Sequence, residues 1–334
     1  MSSNNPEFLN RILQISNETE FEELALEVFD YQFHHVDIYR NYCQVIGKTK
    51  PRSIQEIPFL PIEFFKTHRV LDRNATPEIV FKSSGTTSAE RSIHEVAHLK
   101  LYEVVSTWIF ERFFGPLEDF VIYALLPNYI AQGESSLVYM VNHFIQRTRN
   151  KLSGFYLNDL ESLPQKIDQA RQSGKKVIMF GLTYALLDLV EKHIDIDLSE
   201  VYVIETGGMK GRRKELPKEA LHDLLRRGLN LNAVYSEYGM TELLSQAYCK
   251  NLEPFVTPPW MKILIREAND PMTFQPRESL KTGGVSVIDL ANIHSCSFIH
   301  TQDLGRYEGQ GFKLLGRFDH SDIRGCNQLL WGYY

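Results

Sequence analysis

Apolar positions recur at helical spacing over residues 19–46, where Phe21, Leu24, Ala25, Val28 and Phe29 form one stripe. Thr19 followed by Glu22 is a capping-box pattern, so this stretch predicts an amphipathic helix. Prolines punctuate 51–61 and leave little room for regular helix, and 62–70 is short and aromatic. From there the pattern alternates. β-prone runs at 78–81, 120–126, 176–180, 201–204 and 233–235 are interleaved with helix-like stretches at 101–114, 136–148, 184–193 and 216–227. Such alternation predicts an α/β fold with a mostly parallel, helix-covered sheet. Beyond about 248 the runs are β-prone throughout (261–266, 284–290, 297–300 and 312–315) and are divided by Pro254, Pro258, Pro259, Pro271 and Pro276. The expected organisation is one domain in three regions: a helical region over 1–75, an α/β core over 76–247, and a β-rich subdomain over 248–334.

Composition narrows the class. The 334 residues are 43% hydrophobic and 23% charged, as in ordinary globular chains. A formal net charge of −6 argues against nucleic acid or an anionic membrane as the main partner. The basic run Lys210-Gly-Arg-Arg-Lys214 is local and follows a Gly-Gly turn. The four cysteines (Cys43, Cys249, Cys296 and Cys326) form no CxxC pair, which gives neither a standard zinc site nor a disulfide framework. The first residues lack the pattern of a signal peptide, and no apolar run approaches a membrane span. A soluble, cytoplasmic protein is expected.

Candidate chemistry gathers where strands should end. Ser83, Ser84, Gly85, Thr86, Thr87 and Ser88 follow a β-prone run and offer hydroxyl and backbone N–H donors to phosphate oxygens. The order is not that of a Walker loop. Glu205-Thr-Gly-Gly-Met-Lys210 follows a strand, and its paired glycines would let a flat ring lie on the backbone. In Ser236-Glu-Tyr-Gly-Met-Thr-Glu242, Tyr238 is placed to stack on a base, Thr241 to donate to a phosphate and Glu242 to hold Mg²⁺. Thr301-Gln-Asp-Leu-Gly-Arg306 and Gly316-Arg-Phe-Asp319 are read as further loops that set Asp303 and Arg317 near the C-terminal end.

These motifs, in this order, resemble the adenylate-forming superfamily of acyl-CoA synthetases and luciferases. The proline-rich Ile57-Pro-Phe-Leu-Pro-Ile segment is similar to one in phenylacetate-CoA ligases. The resemblance is closest to the LuxE-type acyl-protein synthetases, because Lys210 follows the Gly-Gly turn and Arg324-Gly-Cys326 stands near the end. It implies an adenylate-forming large domain whose 76–247 region binds ATP. Ser83, Ser84, Gly85, Thr86 and Thr87 would hold the phosphates, and Arg91 would stand where the superfamily has a lysine. Gly207 and Gly208 would frame adenine. Tyr238, Gly239, Met240, Thr241 and Glu242 would hold adenine, the α-phosphate and Mg²⁺, and Asp303 with Arg317 would bind ribose. Cys326 becomes the acyl acceptor, with Lys210, Thr241 and Glu242 beside it as catalytic residues. Only eight residues follow Cys326, so the mobile lid of most members is expected to be absent.

The implied reaction is ATP-dependent activation of a carboxylic acid, by expectation a fatty acid, to an acyl-adenylate. Transfer of the acyl group to a cysteine thiol, in cis or on a partner protein, follows. Arg317, His320 and Arg324 lie near Cys326 in sequence, and cations lower a thiol pKa. Gly181-Leu-Thr-Tyr184 lies where the acyl pocket is expected. Two alternatives stay open: an acyl-CoA ligase-like enzyme that takes a lid in trans, and a non-catalytic nucleotide-binding scaffold. His94-Glu-Val-Ala-His98 matches the HExxH pattern of zinc hydrolases, but it directly follows the hydroxyl loop, where an extended chain is expected.

Overall fold

The computed structural model describes residues 6–83, 91–127, 135–192, 196–207 and 216–318. The chain begins with three helices, α1 (Pro6–Leu13), α2 (Glu18–His35) and α3 (Asp37–Val45). The single helix expected over 19–46 is therefore two. The break is at Val36, whose extended backbone (φ −104°, ψ 99°) lets its side chain enter the core. The cap also differs from expectation. Asn17, not Thr19, accepts the Glu20 N–H, while the Glu20 side chain returns to Ser16 N–H. A short β1 (Leu60–Pro61), α4 (Phe64–Thr67) and the antiparallel pair β2 (Ile79–Lys82) and β3 (Ile93–Val96) follow.

The α/β region runs α5 (Leu99–Phe114), β4 (Phe120–Leu125), α6 (Ser136–Thr148), β5 (Gly154–Phe155), α7 (Leu163–Gln172) and β6 (Lys176–Leu182). It continues with α8 (Thr183–Glu191), β7 (Val201–Thr206), α9 (Lys218–Gly228), β8 (Val234–Tyr238) and β9 (Ala247–Lys250). Its six strands lie in the order β5-β4-β6-β7-β8-β9, all parallel except β9. Every residue of β4 is buried, and so is every residue of β6 after Lys176. That is why these strands read as continuous apolar runs: helices cover both faces.

The second sheet contains β10 (Met261–Arg266), β11 (Gly283–Asp289), β12 (Phe298–Glu308) and β13 (Gly311–Arg317). Its order is β1-β12-β11-β10, with β13 paired to β12. The parallel pairing of Leu60 with Ile299 sews the proline-rich segment into this C-terminal sheet. Buried Gln32 ties α2 to the same place: its amide donates to Asn292 O, Ile293 O and Ser297 Oγ and accepts from Ser297 N. The N-terminal helices and the β-rich end thus share one core. A further difference from expectation concerns 301–306, which is not a loop but the middle of β12. From Thr301 its buried and half-buried residues alternate, the period of a strand with one face inward, and polar residues at those positions conceal it in the sequence. Among the described residues, no helix is long and apolar enough to cross a membrane.

Candidate adenylate site

The two sheets meet through Asp303. In β12 it stands opposite Arg317 of β13, and the Arg317 Nε donates to its Oδ1 at 3.0 Å. The Tyr238 hydroxyl, at the end of β8 in the other sheet, donates to its Oδ2 at 3.0 Å. Burial, and then the Asp303 charge, raise the Tyr238 pKa well above the usual phenol value, so the group stays a neutral donor. The Arg317 side chain is 70% exposed, which leaves much of its guanidinium toward solvent. Tyr238, expected to stack on a base, here makes a structural contact of its own. Its ring is only 6% exposed, with Phe312 and Phe255 against it, and it works as a buried donor that fixes Asp303.

Gly239 to Glu242 turn away from β8 between these groups. A Cβ at Gly239 would come within 2.3 Å of the Glu237 Oε1, so a larger residue here would have to displace that side chain. Met240 is half-buried against the core, and Thr241 is half-exposed. Asp289 anchors the chain just beyond the turn, accepting from Leu244 N, Ser245 N and the Ser245 hydroxyl. Glu242 is 5% exposed. Burial pushes its carboxyl up, and Ser92, its own backbone N–H, and the Arg317 and Lys66 charges work in the opposite direction. The Arg317 charge therefore acts on Glu242 as well, while its hydrogen bond goes to Asp303.

Ser83 and Ser92 close the base of the hydroxyl loop. Ser83 N donates to Ser92 O at 3.0 Å, and Ser92 N donates to Ser83 Oγ at 2.9 Å. Arg91 is exposed beside them. At the end of β7, Gly207 has a φ of +72°, a left-handed turn that an L side chain rarely adopts. Ser83, Arg91, Gly207, Tyr238, Gly239, Met240, Thr241, Glu242, Asp303 and Arg317 are thus placed. Ser84, Gly85, Thr86, Thr87, Gly208, Lys210 and Cys326 lie outside the described residues.

His94 is a contributor that motif reading missed. It sits in β3, fully buried, where its Nδ1–H donates to Thr241 O at 2.7 Å and its Nε2 lies 3.1 Å from Asn292 Oδ1. Asn292 in turn donates to Glu242 O at 2.8 Å. The pair grips the backbone of the Thr241–Glu242 turn. Burial lowers the His94 pKa to about 4 against these two contacts, so near pH 7 the ring is neutral and its single N–H, on Nδ1, goes to Thr241 O. The HExxH pattern is therefore on a strand, with His98 at the start of α5, and does not form the metal-binding helix of a zinc hydrolase. Only the pairing of a histidine in β3 with an asparagine nearly two hundred residues later reveals this role, and no local spacing encodes it.

Beneath β7 and β8 lies a second polar group. Buried Glu205 pairs with Lys218 of α9, accepts from Ser236 Oγ at 2.5 Å and Thr183 Oγ1 at 3.2 Å, and lies 3.7 Å from His222 Nε2. Burial alone would raise its pKa, but the Lys218 charge and these partners hold it at about 2. Thr183 belongs to the segment expected to line an acyl pocket, and its hydroxyl donates into this network.

Strand ends from two sheets that converge on a buried carboxylate define the adenylate-forming fold that the motifs imply. The structure resembles ATP-bound MatB from Rhodopseudomonas palustris with a TM-score of 0.53 and 17% identity, over 74% of this chain and 49% of that one. The ATP-bound RpMatB-BxBclM chimera B3 matches with the same TM-score, identity and coverage. The chain spans about half the length of these structures. A search of curated proteins finds no match. The family described as acyl-protein synthetase, LuxE, matches residues 126–332, and the chain belongs to that family.

Proposed function

We propose that this protein uses ATP to convert a carboxylic acid, a fatty acid in the family's manner, to an acyl-adenylate and passes the acyl group to the thiol of Cys326. A protein partner is the next acceptor. The observation that carries the reading is the shared hold of Tyr238 and Arg317 on Asp303, with the turn that carries Glu242 leaving the same strand end as Tyr238. That arrangement supports reading Asp303 as a ribose-type acceptor and Glu242 as a metal-type carboxylate.

The residues fit the groups they would hold. Asp303 has acceptor capacity for ribose hydroxyls beyond its two donors, and the left-handed Gly207 turn, with no side chain, would let a flat base lie on the backbone. Glu242, whose burial disfavours its charged form, suits a divalent cation such as Mg²⁺. When bound, that ion supplies charge neutralisation at the phosphates. In the first step the acid's carboxylate oxygen bonds to the α-phosphorus, the bond to the bridging oxygen breaks, and pyrophosphate leaves. Arg317 and the hydroxyl loop offset the charge on the phosphates. In the second step the Cys326 sulfur, its proton lost to solvent, bonds to the acyl carbon, the bond to the phosphate oxygen breaks, and AMP leaves. The other three cysteines are poorly suited to this step. Cys43, Cys249 and Cys296 are buried, and burial pushes their thiols up, to about 12 for Cys43, about 11 for Cys249 and higher still for Cys296.

Intact-mass measurement after incubation with ATP, Mg²⁺ and a panel of fatty acids tests this. A hydroxylamine-labile acyl mass is expected on the wild-type chain and not on the Cys326→Ala variant. Acyl mass retained by the variant would remove Cys326 from the pathway. Free acyl-CoA formed by that variant on adding CoA would favour a CoA ligase.

A further inference from the structure

The strand that carries Asp303 breaks register with its neighbour. Ser286 of β11 stands opposite His300 of β12, and Gly284 stands opposite Leu304. Val285 alone therefore faces the three residues Thr301, Gln302 and Asp303, and β12 bulges at the residue read as the ribose acceptor. Bulges re-aim a side chain, and they interrupt the ladder that would otherwise take up backbone polar groups.

A side chain from two strands away fills the gap. Arg266 ends β10 and is paired in register with Gly284. Register partners in an antiparallel pair put their side chains on one face, and Gly284 has none, so Arg266 can cross over it toward the bulge. A Cβ at Gly284 would come within 2.4 Å of the Arg266 Cζ. The guanidinium Nη1 donates to Val285 O at 2.7 Å, and its Nη2 donates to Thr301 O at 2.7 Å. Thr301 closes the bulge from within: its hydroxyl donates to Val285 O at 2.8 Å and accepts from Asp303 N at 3.1 Å. On the other side, the Phe318 ring lies 5.5 Å from the guanidinium, and Phe318 N donates to Gln302 O at 2.8 Å. Arg266 thus touches the strand of Asp303 and the residue that follows Arg317.

The side chain is costly where it stands. Arg266 is 9% exposed, and burial lowers its pKa to about 10, with the Glu63 and Asp303 charges working against that loss. Two carbonyls offset less of the desolvation than a hydrogen-bonded carboxylate would. We infer that Arg266 is a positioning residue for the nucleotide, one that holds the Thr301–Asp303 bulge so that the Asp303 carboxylate is aimed at the ribose hydroxyls. The inference rests on the adenylate reading above.

The test reads those hydroxyls. Acid-dependent pyrophosphate exchange is measured with ATP and with 2′,3′-dideoxy-ATP. The unaltered protein should favour ATP in kcat/KM by about 100-fold or more. Arg266→Met should cut that preference by about tenfold or more, chiefly through the KM for ATP, with little change for the dideoxy nucleotide. Gly284→Ala, which keeps the arginine but displaces its guanidinium, should do the same and carries the test if Arg266→Met does not fold. In an Asp303→Ala background neither substitution should alter the preference further. A variant that is merely less stable loses activity with both nucleotides in proportion, and an unchanged preference of that kind refutes the inference. A further fall in the Asp303→Ala background also refutes it. If the unaltered protein exchanges with an acid but treats the two nucleotides alike, the ribose role of Asp303 goes, and the inference with it. No exchange with any acid removes the adenylate reading itself, and with it the inference.

Discussion

Asp303 is the residue on which both sheets depend. A buried carboxylate with one donor from each sheet is costly to remove, because Tyr238 would then keep a buried hydroxyl without its acceptor and Arg317 would lose its hold. We expect Asp303→Ala to lower acid-dependent pyrophosphate exchange by a factor of about 100 or more, mainly through the nucleotide's KM. Tyr238→Phe, which leaves the carboxylate in place, should cost about tenfold. Equal activity in the aspartate variant would place the nucleotide elsewhere. The sequence motifs name Asp303 together with Arg317, and the structure pairs the two, but the second partner is not legible there. Nothing near Asp303 in sequence announces Tyr238, which lies 65 positions away.

At the level of elements, the turn after β8 is held from outside by β3 and by the segment preceding β12. His94 and Asn292 take the carbonyls of Thr241 and Glu242, and Asp289 takes the amides that follow. His94→Ala removes one clamp and opens space in the core. It should lower stability by about 2–4 kcal/mol in urea unfolding and also reduce exchange activity. Loss of stability with full activity would show that the clamp does not position the turn. The strands and helices of the α/β core follow their apolar periodicity, and 136–148 and 261–266 match α6 and β10 to the residue. The misreadings have physical causes. Val36 breaks a helix whose apolar stripe continues across it, and β12 extends into a polar run because only alternate residues need burial.

Across the whole molecule, charge burial predicts a stability maximum near neutral pH. Burial lowers His94 and His294 to about 4 and His300 to about 3, below the value of about 6.5 in an unfolded chain. Below pH 6.5 the unfolded chain therefore binds protons that the fold refuses, and stability falls as pH drops toward 4. Glu205, held at about 2, adds a loss at still lower pH. Glu237 acts in the other direction. Raised to about 7, it favours the fold while protonated, and that contribution is lost as pH rises from about 4.5 through 7. Urea unfolding at pH 5 should show stability at least about 1–2 kcal/mol below that at pH 7. A flat profile would mean these imidazoles are hydrated. This level is also the least legible in sequence. The pairing of 60–61 with β12 and the burial of Gln32 against residues 292–297 are long-range matters that no local pattern contains.

The account stands most directly on acid-dependent ATP–pyrophosphate exchange by the unaltered chain. It predicts exchange of labelled pyrophosphate into ATP only when Mg²⁺ and a carboxylic acid are both present, with AMP as the nucleotide product when a thiol acceptor is available. Exchange that ignores the acid, or ATP cleaved to ADP and phosphate, would contradict it.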